Sequence, residues 1–255
     1  MRKVFSVIVI CVALIVPFAM FEVMPQIGDP NSAPNSHVSV HYIENTQSIA
    51  NSPNMVTSVI VDFRAFDTLL ETTVMFLAGV CVMIILAGVY KTKKRVIDPG
   101  ESKMLRVRSG EKVFRSINKD VIITLLQPMI LVYAVYVLFH GEVSLGGGFQ
   151  AGALIGTVLL LDAMAVPDKR NFPNITKGTS AMIAGIGTFI YATAGILTLI
   201  GGGLFLEYEK FPWNVPLLEQ HSIGILMVEI GVTLGVAGTI VTIMNVLLEK
   251  VKFDK

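Results

Sequence analysis

Six stretches of the chain are apolar for long enough to cross a hydrocarbon core of about 30 Å. They run from Val4 to Phe21, Leu69 to Tyr90, Val121 to Phe139, Phe149 to Val166, Ala181 to Phe205 and Ile223 to Leu248. The pattern predicts an all-α integral membrane protein with six transmembrane helices. The first run follows Arg2 and Lys3 and reads as a retained anchor, being longer than a signal-peptide core and lacking an A-x-A site after it; a cleaved signal peptide is the alternative. Between the first two runs, Glu22 to Arg64 carries Pro25, Pro30, Pro34 and Pro53 with many Asn and Ser, which predicts an external loop with some local structure. Its end, Val59 to Phe63, alternates weakly. The connection from Lys91 to Asn118 holds Asp98-Pro99-Gly100, a turn signal that divides two helices in front from four behind. The expected organisation is therefore a two-helix part over 1–95 with an external loop over 22–65, a linker over 96–118, and a four-helix domain over 119–255.

Charge sharpens this picture. Of the 20 Lys and Arg, all but Arg64 and Lys210 fall on one side if the amino terminus is cytoplasmic. Cytoplasmic loops collect basic residues, so both termini are expected inside, and losing any internal span would scramble the split. Hydrophobic residues make up 53% and charged residues 15%, against roughly 25% charged in soluble domains. A net charge of +1 gives no global field for nucleic acid. Cys11 and Cys81 each lie alone in an apolar run and suit lipid-facing or packing roles.

Ionisable side chains inside a span cost roughly 2.5–3.5 kcal/mol on insertion scales and are functional candidates by default. Asp67 and Glu71, spaced i, i+4, share one face of the second helix beside Thr68 and Thr72. Alternatively, Asp67 caps the helix and Glu71 snorkels outward or pairs with Arg64. Glu229 lies about 10 Å past Ser222 among Ile, Val, Leu and Gly, as a proton carrier or as glue to a neighbouring helix. Asp162, near the inner end of the fourth span, suits a solvated or Lys-paired carboxylate. His140 and Glu142 flank the outer end of the third span, where a histidine is a proton relay or a plain loop residue. His37, His41 and His221 are expected to be external, without metal-ligand spacing.

The segment LGGGFQAGALIG from Leu145 to Gly156 lacks the GK[ST] of a phosphate loop and leads into a membrane span. Gly148, Gly152 and Gly156 instead form a small-residue stripe for close helix packing, as do Gly224, Gly231, Gly235 and Gly238 in the last span. Pro128, after Gln127, is expected to kink the third span. Neither HExxH, GxSxG nor a facing Asp pair supports an intramembrane hydrolase.

Two patterns carry a family resemblance. VIVDFRAFDTLLE, from Val59 to Glu71, resembles the second-helix signature of the small MbhE component of archaeal membrane-bound hydrogenases, which is also like the tail of the A subunit of Mrp cation/proton antiporters. The stretch from Phe139 through His140, Gly141 and Glu142 to Gly156, with the Gly-rich last span around Glu229, is similar to the B subunit of Mrp antiporters and the hydrogenase F subunit. It departs from the B-subunit pattern where Glu142-Val143-Ser144-Leu145 replaces a His-Asn-x-Pro type of outer loop. The resemblance implies an MbhE-like part fused to an MrpB-like domain. It also implies a membrane subunit of a Na⁺/H⁺ antiporter module, free-standing or joined to a ferredoxin-linked hydrogenase or sulfane reductase. No cofactor is implied. The implied partners are C-, D- and A-like antiporter subunits, protons and Na⁺, and no nucleic acid. The residues it singles out for an ion path are Glu71, Asp67 and Glu229, with His140 and Asp162 as further candidates from the residue reading.

Overall fold

The computed structural model describes residues 2–21, 24–93, 113–164, 172 and 175–253. All regular structure among them is helical, in two compact units, Met1–Asn45 and Thr46–Lys255.

The first unit contains α1 (Arg2–Phe21), which runs on through Pro17, and two short helices, α2 (Ala33–Ser36) and α3 (Val38–Asn45). Asp29 organises the turn ahead of α2. Its carboxylate accepts from the Asn31 N–H (2.9 Å), and its carbonyl accepts from Ser32 Oγ (2.8 Å) and Asn35 Nδ2 (2.9 Å). Gly28, at φ +87°, supplies the left-handed step that enters the turn.

The second unit begins with α4 (Met55–Thr57), passes directly into a π-helical turn (Ser58–Phe63), and restarts as α5 (Ala65–Lys93). The weak alternation over Val59–Phe63 thus belongs to a π-turn rather than an extended segment. Arg64, at φ −124° and ψ 31°, closes it by donating its N–H to the Val59 carbonyl at 2.8 Å. Thr68 then donates back across the break to the Ile60 carbonyl (2.7 Å), satisfying a group that an uninterrupted α-helix would have used itself.

Four further helices follow: α6 (Val113–Phe139), α7 (Gly148–Met164), α8 (Lys177–Ile200) and α9 (Leu217–Phe253). Helix α6 contains Pro128 without ending there. The Asp98-Pro99-Gly100 boundary lies outside the described residues, and the last part of the expected linker, from Val113, is already α6.

Ala65–Leu86, Val121–Phe139, Lys177–Ile200 and Leu217–Leu248 are long and apolar enough to cross a membrane; Val9–Phe21 and Gly148–Ala163 are shorter apolar helices. The protein is multi-pass, and its organising element is α9. Two thirds of its apolar window (67%) is buried, against 11–33% for the other three long helices.

Close approach to α9 is written in glycines. A Cβ on Gly148 would lie 2.2 Å from the Glu229 carbonyl oxygen, one on Gly152 2.7 Å from that of Thr233, and one on Gly156 3.1 Å from Ile240. From the other side, Gly187 of α8 meets the backbone of Gly231 and Gly235, and Gly238 meets that of Ala184. The buried hydroxyls of α9 stay satisfied within the helix, with Thr233, Thr239 and Thr242 each donating to the carbonyl four residues back.

Candidate functional site

Glu71 and Glu229 line the same cavity, about 270 Å³ in volume. The π-turn and the first turns of α5 contribute Ile60, Val61, Thr68 and Glu71; the loop before α7 and its start contribute Gly146 to Gln150; α9 contributes Glu229 and Val232. Glu71 arrives on the exposed face of α5, whereas Glu229 is 2% exposed. Room for the Glu229 carboxyl is made by two glycines: a Cβ on Gly141 would lie 2.9 Å from its Oε1, and one on Gly147 3.2 Å. Gly147 also sits at φ +132°, where a side chain would be strained. Glu229 Oε2 is buried without a hydrogen-bond partner. Oxygen donors therefore converge here, from Glu71, Glu229 and the Gln150 side chain, in a space large enough for a hydrated ion. Among the described residues no group of three or more His, Cys, Asp or Glu forms a resident metal centre.

A hydrogen-bonded joint holds the front of this cavity together. Asn54 caps α4 by accepting from the Val56 N–H (3.0 Å), while its Nδ2 reaches the carbonyls of Gly141 (2.8 Å) and Ser144 (2.6 Å). Thr57 donates to the same Gly141 carbonyl (2.7 Å), and Ser52 Oγ to that of Glu142 (2.9 Å). Behind it, the buried hydroxyls of Tyr191 and Tyr208 donate to the carbonyls of Ala65 (2.5 Å), just after the π-turn, and Val61 (2.8 Å), within it.

The remaining sequence candidates are dispersed. Asp67 pairs with Arg64 (Nε to Oδ2 2.7 Å) and lines a different cavity with Asp62 and Phe205, so it does not share the Glu71 site. His140 stacks on Tyr136 at a centroid distance of 4.9 Å and does not line the Glu229 cavity. Its neighbour Glu142 is half-buried, and that burial raises its carboxyl above the usual range.

Asp162 is not solvated. It is 4% exposed and accepts from Gln127 Nε2 at 3.1 Å, so the residue preceding Pro128 presents its amide to α7. His221, expected on the outer side, stands near the start of α9, is 5% exposed and lies 2.7 Å from Asp62. Asp62 escaped notice because it stands at a polar boundary where a carboxylate attracts no attention. Cys11 and Cys81 are free and exposed.

Comparison with known proteins follows the same division. Residues 2–102 match the MbhE family of MBH components, and residues 119–242 match a domain related to the MnhB subunit of the Na⁺/H⁺ antiporter. Curated relatives include the putative antiporter subunit mnhB2 of Staphylococcus aureus strains Newman and JH1. Each is 27% identical over 139 residues, covering 54% of this chain and 94% of the relative.

Among solved structures, the chain resembles one in the Mrp complex from Dietzia sp. DQ12-45-1b, with a TM-score of 0.67 and 21% identity over 95% of this chain. It spans only 26% of that longer protein. It also resembles a chain of the membrane-bound sulfane sulfur reductase, an archaeal respiratory membrane complex. That match has a TM-score of 0.64 and 22% identity, and covers 97% of this chain and 99% of the other. At these identities the likeness to both structures is one of fold. The chain therefore joins an MbhE-like front part to an MnhB-like back part in a single polypeptide.

Proposed function

We propose that this chain is a membrane subunit of a Na⁺/H⁺ antiporter-type module, a transport subunit rather than an enzyme, and that Glu71 and Glu229 contribute to the ion path. The observation that carries the reading is the cavity lined by both carboxylates, one from each family segment. Neither segment alone supplies the pair. In this reading six helices cross the membrane in a two-plus-four arrangement over 1–95 and 119–255, with both termini cytoplasmic. The distribution of Lys and Arg and the two shorter apolar helices support that count.

A coupled exchanger needs a site reachable from both faces, and among the described residues few buried charges lie toward the inner side beyond Asp162. Other antiporter-type subunits, and hydrogenase- or sulfane-reductase-type subunits where the module is redox-linked, would complete the route. Asp67 and His140 belong in this scheme at the outer approach, away from the carboxylate pair.

Replacing Glu71 by Gln in the intact complex is expected to abolish Na⁺-dependent proton movement in everted membrane vesicles, because an amide neither exchanges a proton nor balances a cation. Full activity in a normally assembled variant would overturn the reading.

A further inference from the structure

The outer ends of the two family segments meet at a buried titratable cluster that lies outside the carboxylate cavity. His221, near the start of α9, places Nδ1 2.7 Å from Asp62 Oδ2 on the π-turn. Its Nε2 lies 3.6 Å from Glu209 Oε1, on a 3₁₀ turn spanning Tyr208–Lys210 in the loop between α8 and α9. That nitrogen is buried and has no hydrogen-bond partner. Tyr208 packs edge-on against the imidazole at a centroid distance of 6.0 Å while its hydroxyl serves the Val61 carbonyl. Burial, then Tyr191 and Asp62, push its phenol well above the usual range, so it stays neutral. The groups that face the imidazole are thus two carboxylates and one neutral phenol.

A neutral imidazole has one N–H. Donated to Asp62, it leaves the Nε2 lone pair turned toward the Glu209 carboxylate, with nothing to share between them. A second proton converts that contact into a charge-assisted hydrogen bond and lets one imidazolium bridge both acids. We propose that Asp62, His221 and Glu209 form a proton-binding site that clamps the π-turn of the MbhE-like segment and the 3₁₀ turn to the start of α9. The glutamate side chain is 46% exposed, so the site draws its proton from the aqueous side of the loop. The clamp is closed in the imidazolium form and is lost as pH rises through the titration of His221 in the folded chain.

The test is hydrogen exchange on the full chain in lipid nanodiscs, corrected for the intrinsic pH dependence of amide exchange, between about pH 5 and 8. Amides over 58–64 and 204–213 are expected to exchange about tenfold faster at the upper end, the scale of one lost charge-assisted hydrogen bond. His221→Gln keeps a donor for Asp62 but cannot titrate, and its exchange should be the same at both ends of the range. Glu209→Gln, a change at a half-exposed side chain, should remove most of the step. A wild-type chain without a step, or a step of undiminished size in either variant, overturns the proposal. If His221→Gln does not fold, Glu209→Gln decides alone. A histidine that merely packs would alter exchange equally at every pH, and because transport is not the readout, the result is independent of the ion-path reading.

Discussion

Vesicles carrying Glu229→Gln are expected to lose Na⁺-coupled proton movement to the level of vesicles without the complex, while the assembled complex runs unchanged on native gels. The amide has the size and shape of the acid, so it fits the space left by Gly141 and Gly147 and disturbs neither α7 nor α9. What it lacks is the ability to gain and lose a proton or to neutralise a cation. Glu229 Oε2 is buried without a hydrogen-bond partner, whereas buried polar atoms ordinarily have one. A variant that assembles and transports normally removes Glu229 from the path. One that fails to assemble makes the acid structural glue to a neighbouring helix rather than part of the ion path.

Gly148→Ala is expected to destabilise the full chain by about 3 kcal/mol, the upper end of overpacking costs, read as a lowered thermal midpoint in detergent. The added methyl would lie 2.2 Å from a backbone oxygen, and backbone cannot swing aside as a side-chain tip can. Relief requires α7 to move off α9 just where Thr233 Oγ1 is within 3.0 Å of the Gly148 carbonyl and 2.7 Å of the Glu229 carbonyl. Because the struck residue is Glu229 itself, transport should fall with stability. Gly178→Ala provides the contrast. Its new methyl would meet nothing closer than Thr176 Oγ1 at 3.9 Å, and alanine is favoured over glycine in a helix by up to about 1 kcal/mol. That chain should be as stable as the parent or slightly more so.

The apolar runs locate the helices because lipid imposes length and composition together, but they do not mark where a helix stops. Helix α5 begins at Ala65, before the apolar run at Leu69, and α9 begins at Leu217, before Ile223. Backbone hydrogen bonding continues past the point where side chains become polar. Glu71 and Glu229 were each legible as charges within apolar sequence. That they share a cavity is a tertiary fact no local pattern holds.

Asp162 shows the same limit. Its nearness to a helix end suggested water or a lysine partner; the carboxylate is buried, and Gln127 on another helix donates to it. The pair Asp62 and His221 left no trace, because at a membrane boundary an acid or a histidine is unremarkable until its partner is known. The glycine stripe of α7 could be read from its spacing. Gly187 could not, since its partner groove is formed by Gly231 and Gly235 on α9.

The joint between Asn54, Thr57 and the outer loop reads only main-chain oxygens, those of Gly141, Glu142 and Ser144. Every amino acid carries that acceptor. The loop's identity at Glu142, Val143 and Leu145 is thereby uncoupled from the attachment it makes, provided its path is kept by Gly141 and Gly147. Such a contact is a socket keyed to shape: the loop can exchange its side chains, and with them whatever it meets outside, without unfastening the two segments it joins.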